Sequence, residues 1–189
     1  MAHKVAVIVG SLRGDSFTRK AAQALAKLTP ELEFDFVPIG ELAHYNQDLD
    51  PDNAPAAWVA FRDRVRGADA VLFATPEYNR SVPGVLKNAI DVGSRPYGKS
   101  VYDGKPAAII SITPGALGAF GANHHLRQSL TFLNMPVLQQ PEAYISNASG
   151  LFDKTTGDLT NEDTKVFFTN FGKKFAEWIG KTAKAKTPA

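Results

Sequence analysis

Ala70-Val71-Leu72-Phe73-Ala74, running on into Thr75-Pro76-Glu77-Tyr78-Asn79-Arg80-Ser81-Val82-Pro83-Gly84-Val85-Leu86-Lys87-Asn88-Ala89-Ile90-Asp91, decides the fold. The first five residues are apolar without interruption, as expected for a parallel strand covered by helices on both faces. Val82, Val85, Leu86, Ala89 and Ile90 then recur at spacings of three, four, seven and eight from Val82, which puts them on one buried helical face. Pro76 cannot donate a ladder hydrogen bond, and Pro83 suits a first helical turn, so strand gives way to helix within a short polar turn. A crossing from strand end to helix start is a favoured ligand position in open α/β sheets.

Working outward, the same alternation repeats. Val5 to Val9 is a β-branched run ending at Gly10, followed by a polar loop and by Ala21, Ala22, Leu25 and Leu28 at helical spacing. Residues 33–37 alternate acidic and apolar side chains, which suits a strand near the sheet edge. Residues 38–55 form a long connection marked by Gly40, Asn46, Asp50, Pro51, Asp52 and Asn53, of the kind that is often functional or mobile. Trp58, Phe61 and Val65 share the buried face of the next helix, with Arg62, Arg64 and Arg66 assigned to its wet side. Residues 107–112 read as a fourth strand, and a glycine-spaced loop then leads into a helix carrying Leu126, Leu130 and Leu133 that Pro136 stops. Residues 141–145 are the fifth strand; Phe167 or Phe168, Phe171, Phe175, Trp178 and Ile179 stripe a closing helix. Five strands alternating with helices give a doubly wound α/β sheet, most economically the flavodoxin-like order 2-1-3-4-5. That order converges the loops at 10–16, 75–81 and 111–121 on one crevice.

At 189 residues the chain reads as a single domain, given roughly 100 to 200 residues per domain. Lys and Arg number 21 against 19 Asp and Glu, an excess too small to argue for nucleic acid. The dense basic tract from Lys181 to Lys186 reads as part of a flexible, solvated tail over 181–189. With no cysteine, thiolate nucleophiles, iron–sulfur ligation and disulfides are excluded, so redox work falls to a bound organic cofactor. No stretch has the form of a secretory signal or a membrane span, and the expected location is cytoplasmic.

The first loop, Gly10-Ser11-Leu12-Arg13-Gly14-Asp15-Ser16-Phe17-Thr18-Arg19, offers hydroxyls, the Arg13 fork and a helix start to a phosphate dianion. It reads equally as an N-cap at Ser16 beside a surface Arg, and it lacks the G-x-G-x-x-G spacing of a Rossmann site. Gly93-Ser94-Arg95-Pro96-Tyr97-Gly98-Lys99-Ser100 matches a P-loop letter for letter, yet it follows a helix, contains Pro96 and leads to a strand, whereas a phosphate cradle follows a strand and opens a helix. His124 and His125 are adjacent and point about a hundred degrees apart, so they do not share a metal; no metal site is expected. No Ser, His and Asp set has nucleophile-elbow spacing. Glu77 stands as a candidate general base or, more plainly, as a carboxylate stabilised at a helix start. Tyr78 and Asn79 suit the flank of a planar heterocycle or an ordinary turn.

Taken together, Gly10-Ser11-Leu12-Arg13 with Ser16, Pro76-Glu77-Tyr78-Asn79 with Ser81, Pro83-Gly84, Leu86-Lys87-Asn88-Ala89-Ile90-Asp91 and Ser94-Arg95-Pro96 strongly resemble the NADPH-dependent FMN reductase family, and within it the soluble bacterial quinone and chromate reductases. The resemblance covers about Val5 to Trp178. It implies a flavodoxin-like subunit binding FMN non-covalently, with Ser11, Arg13, Ser16, Phe17 and Thr18 at the phosphate. Pro76, Glu77, Tyr78 and Asn79 would line the ring, and Ser81 with residues 113–118, Thr113, Gly115 and Gly118 among them, would complete the pocket. It implies ping-pong transfer from NADPH or NADH to quinones, free flavin or chromate, with no catalytic side chain required. A homodimer or homotetramer is implied, with Arg127 and Glu142 in the interface network. Three positions depart from the family pattern: Thr18 for Asn, Val92 for Trp, and Ala119 where a second Gly is frequent. A non-enzymatic electron carrier and a flavin-binding regulator remain the alternatives; the balance of +2 speaks against the carrier, since such carriers are typically strongly acidic.

Overall fold

The computed structural model of the protein describes residues 2–50 and 52–183. Five strands, β1 (His3–Val9), β2 (Leu32–Phe36), β3 (Ala70–Thr75), β4 (Ala107–Ile112) and β5 (Ala143–Ile145), form one sheet in the order β2-β1-β3-β4-β5, and every neighbouring pair is parallel. The helices are α1 (Phe17–Leu28), α2 (Ala56–Arg66), α3 (Gly84–Gly93), α4 (Phe120–Phe132) and α5 (Glu162–Thr182). Successive strand residues point to opposite faces, and the central strands fill two cores accordingly. Val5, Val7, Val9, Leu72, Ala74, Ala108 and Ile110 pack with α1 and α5; Ala6, Ile8, Val71, Phe73 and Ile109 pack with α2, α3 and α4. The flavodoxin-like doubly wound architecture expected from the sequence is thus the observed one.

Register sets the working edge. Val9 lies beside Ala74 and Thr75 beside Ser111, and the Gly10 amide donates to Ala74 O at 2.8 Å. The loops after β1, β3 and β4 therefore leave the sheet side by side, about 4.8 Å apart per strand. On the α1/α5 face, Gly172 lets the two helices approach closely: a Cβ there would overlap the Thr29 side chain.

Two expectations are corrected. Arg62 is not on a wet face: its guanidinium is buried, donating to both carboxylate oxygens of Asp50 (3.0 and 2.5 Å) and to Val92 O (2.9 Å). A charge leaves water only when so paired. Nor does Pro136 end α4. Asn134 does, at φ 57°, with Met135 N bonded to Leu130 O and Asn134 N to Thr131 O, the two bonds of a Schellman closure. The connection after β2 is tied to α2 and α3 around residues 42–45. Asn88 on α3 donates to Leu42 O and Ala43 O and accepts from Tyr45 N, and Trp58 Nε1 donates to Ala43 O. In the expected tail, α5 extends through Thr182, and 184–189 lie outside the described residues.

Candidate flavin site

In the first loop, Ser16 is the N-cap of α1 and accepts from Arg19 N at 3.3 Å. An accepting hydroxyl keeps its own proton for donation, so the capping and phosphate readings of this serine are compatible. Ser11, Ser16 and Thr18 are buried, whereas Leu12, Arg13, Gly14 and Asp15 form an exposed crown. The Lys20 ammonium is ion-paired with Asp15; hydrogen bonding to Lys20, then its charge, holds the Asp15 carboxyl below its usual range. That leaves the Arg13 fork without a carboxylate hydrogen bond in this loop. Phe17 turns inward and stacks on Phe152 at 6.1 Å, so it braces the helix start instead of facing the crown.

After β3, the amides and carbonyls of Tyr78 and Ser81 bond to each other at 3.0 Å in both directions. Asn79 and Arg80 between them both take positive φ, 53° and 62°, the conformation of a type I′ turn, which Asn favours and Arg does not. Thr75 Oγ1 bonds Pro76 O at 2.7 Å. Glu77 does not cap α3, the helix its own loop opens. Its Oε2 accepts from Ala122 N, in the first turn of α4, at 2.9 Å; Ala119, at the N-cap position of α4, supplies no side-chain cap. The approach requires Gly121, where a Cβ would lie 2.9 Å from both Glu77 Oε2 and Arg80 O. Ser81 Oγ is 2.9 Å from His125 Nδ1.

The third loop is stitched to the strand beside it. Thr113 N bonds Ile145 O, Ala148 N bonds Thr113 O, and Asn147 N bonds Gly115 O. Thr113 Oγ1 receives Gly115 N at 3.3 Å. Gly118 and Ala119 are both left-handed, at 57° and 58°; a Cβ at Gly118 would strike the Tyr144 backbone, so only glycine fits. Ala119 takes the same conformation with a methyl group, and this is why glycine is at home at that position.

Arg127 and Glu142 meet within one chain, 3.9 Å apart. Tyr144, which nothing in the sequence singled out, completes the group: its hydroxyl donates to Glu142 Oε1 (2.7 Å) and lies 3.0 Å from His124 Nε2. Burial first, then that hydrogen bond, push the Tyr144 hydroxyl up to about 12, so it remains a donor at neutral pH. Tyr144 and Phe120 ring His124. The two histidines thus serve different neighbours, and no cluster of three or more His, Asp or Glu able to hold a metal occurs among the described residues. The 93–100 segment closes α3 and opens no helix.

The fit to a flavin mononucleotide rests on donors and shape. The amides of Phe17 and Thr18 in the first turn of α1 have no intrahelical acceptor, as an anion site requires, and the exposed Arg13 of the same loop brings a planar fork suited to phosphate. All three loops expose large apolar side chains: Leu12 (60%), Tyr78 (54%), and Leu117 (57%) followed by Phe120 (51%) at the start of α4. Apolar residues rimming a polar crevice are what a planar aromatic ring covers on binding.

An α/β sheet of this order with such loops at its carboxyl edge defines a cofactor-binding protein of the flavodoxin-like class. Within that class the chain belongs to the NADPH-dependent FMN reductase family, whose pattern it matches over residues 3–150. It is 56% identical over 178 residues to a quinone reductase of Pseudomonas putida, covering 94% of this chain and 95% of that protein. It is 48% identical over 180 residues to a 2-hydroxy-1,4-benzoquinone reductase of Burkholderia sp, covering 95% and 97%. Among solved structures it superposes on FerB, a flavoenzyme NAD(P)H:(acceptor) oxidoreductase from Paracoccus denitrificans, with a TM-score of 0.90 at 43% identity, covering 97% of this chain and all of that one.

Proposed function

We propose that the protein is an FMN-dependent NAD(P)H oxidoreductase that reduces quinones, with free flavin and chromate as further acceptors. The observation that carries this reading is the alignment of three polar loops, all bearing exposed large apolar side chains, at adjacent strand ends, in a chain of this family. Bound FMN supplies the hydride chemistry that no side chain of a cysteine-free protein provides. The protein's own part is placement. Ser11, Arg13, Ser16 and Thr18 bind the phosphate, with Phe17 bracing them from behind. The backbone from Pro76 to Asn79 and the ring of Tyr78 seat one side of the isoalloxazine. Ser81 and residues 113–118, including Thr113, Gly115 and Gly118, close the other edge. Glu77 is structural: its carboxylate is committed to the start of α4.

Donor and acceptor use the same exposed face in turn, which makes the cycle ping-pong. The subunit is cytoplasmic and works as a homodimer or homotetramer, with the Arg127–Glu142–Tyr144 group at a subunit contact. No helix among the described residues is long and apolar enough to cross a membrane. Three measurements test this reading: FMN content and titration of gently purified protein, turnover of NADH and NADPH against a panel of quinones, and mass by light scattering. Protein that takes up no FMN and oxidises neither nicotinamide refutes it; tight FMN binding without turnover leaves a carrier or regulator.

A further inference from the structure

Beneath the third loop runs a line of buried polar side chains that makes no contact with the crown of the crevice. Ser111 and Asn123 are both fully buried. Ser111 Oγ lies 2.8 Å from Gly118 O and 3.0 Å from Ala143 O, and it accepts from Asn123 Nδ2 at 3.1 Å. Asn123 Oδ1 accepts from Arg127 Nε at 3.0 Å, and Arg127 also donates to Leu138 O at 3.2 Å. Donor and acceptor sides of the amide are thereby fixed by their partners. The hydroxyl of Ser111 has one proton for two carbonyls, and with its lone pair occupied by Asn123 that proton is turned toward Gly118 and Ala143.

The geometry at Gly118 explains why this matters. Gly118 and Ala119 are consecutive left-handed residues; glycine takes that conformation freely, whereas Ala119 holds it only where the surroundings over-determine it. The carbonyl of Gly118, held by Ser111 Oγ at 2.8 Å, is the loop's anchor. Asn123 is also an expensive choice for stability alone: asparagine is a poor helix former, and replacing a whole buried polar pair by apolar groups is often neutral. Its neighbours on the buried face of α4, Ala122 and Leu126, are apolar.

We propose that Asn123 is a positioning residue for the ring-binding loop, holding Gly118 O through Ser111 and so fixing the 113–118 segment against which the flavin edge rests. The inference depends on the flavin reading above for its consequence, though not for its geometry. The test uses the full-length protein in apo and FMN-loaded forms, with Asn123→Leu, Asn123→Asp and Ser111→Ala. In the apo protein, amide hydrogen exchange across 113–118 should quicken in all three variants while the 10–18 loop stays as in wild type. Asn123→Asp belongs with the others because its carboxylate keeps the Arg127 bond but draws the Ser111 proton away from both carbonyls. FMN dissociation constants, read by flavin fluorescence, should rise about tenfold, the equivalent of about 1.4 kcal/mol, and the midpoint potential of the bound flavin should shift. Ile179→Val, a buried change in α5, controls for loss of stability and should leave both unchanged. Wild-type exchange at 113–118 together with wild-type FMN affinity in Asn123→Leu overturns the proposal. Should that variant not fold, Ser111→Ala decides by the same two readings. Should wild type itself bind no FMN, the functional reading falls and loop exchange alone decides the positioning role.

Discussion

Glu77 is the place where structure and chemistry give opposite expectations, and two substitutions separate them. Its carboxylate, 15% exposed, accepts from Ala122 N at 2.9 Å and supplies the cap that Ala119 does not. Loss of a helix cap costs about 1 kcal/mol, and loss of a negative charge at a helix N-terminus about 0.5–1 kcal/mol more. Arg80, 3.9 Å away and 75% exposed, adds little across solvent. Glu77→Ala should therefore lose about 1.5–2 kcal/mol, or about 3–8 °C in Tm for a chain of this size. Glu77→Gln keeps an acceptor oxygen and should lose only the charge component, about 0.5–1 kcal/mol. Thermal and urea unfolding measure both. A general base would show differently: Glu77→Gln would then cost about 100-fold or more in kcat, whereas a cap predicts turnover within about threefold of wild type at saturating FMN. A Glu77→Gln protein with wild-type Tm and full flavin but turnover down by about two orders of magnitude would refute the structural assignment.

Other consequences are as direct. Arg62→Met strands the Asp50 carboxylate, whose side chain is 2% exposed, and should cost about 3–5 kcal/mol; adding Asp50→Asn should restore much of it, and a double-mutant cycle measures the coupling. Gly172→Ala should cost about 1–3 kcal/mol by overpacking against Thr29, and Thr29→Ala in the same chain should relieve it in a urea titration. Asp35 is held below 3.8, first by its hydrogen bond to Arg64 and then by the charges of Arg64 and Lys4 against an opposing burial effect. A lowered folded-state value means a contribution present above 3.8 and lost as pH falls through the folded value, so the stability gap between wild type and Asp35→Asn should close over that acid range. Arg13→Ala should weaken FMN binding by about 2 kcal/mol, the scale of a charge-assisted hydrogen bond, with Arg13→Lys a poor substitute because it lacks the fork; unchanged titration curves would exclude the phosphate role.

How much of this was legible depended on whether a residue's environment was local. β1, β3 and β4 are buried on both faces, so their apolar runs announce them, and β4 spans the expected residues. β5 has only three residues, and Pro141 and Glu142 before it lie outside the strand. Arg62 follows Phe61 in a helix and reads as polar surface; nothing local shows that Asp50, twelve positions earlier, folds down to meet it. Glu77 poses the same problem over 45 positions: a carboxylate near a helix start was visible, but which helix was not. The crevice loops were legible because Gly, Ser and Pro interrupt apolar runs at strand ends. The support beneath them was not. Ser111 looks like any strand residue, Asn123 like any polar helix position, and Tyr144 like strand filling, since only the parallel register brings them together. Arg127 and Glu142 entered through family resemblance, and their intrachain contact with Tyr144 came from the fold.

The connection after β2 has a kinetic meaning. Gly40, within it, sits so close to the first loop that a Cβ there would touch Leu12 at 3.4 Å, and Leu42, Ala43 and Asp50 are tied down by Asn88, Trp58 and Arg62. At those positions the connection forms a parapet beside the first loop. An enzyme that does not shut around its substrate has no closure step with which to reject a poor fit, so entry is filtered only by the width of the opening and the charge along it. Selectivity among acceptors should then follow their reduction potential more than their shape.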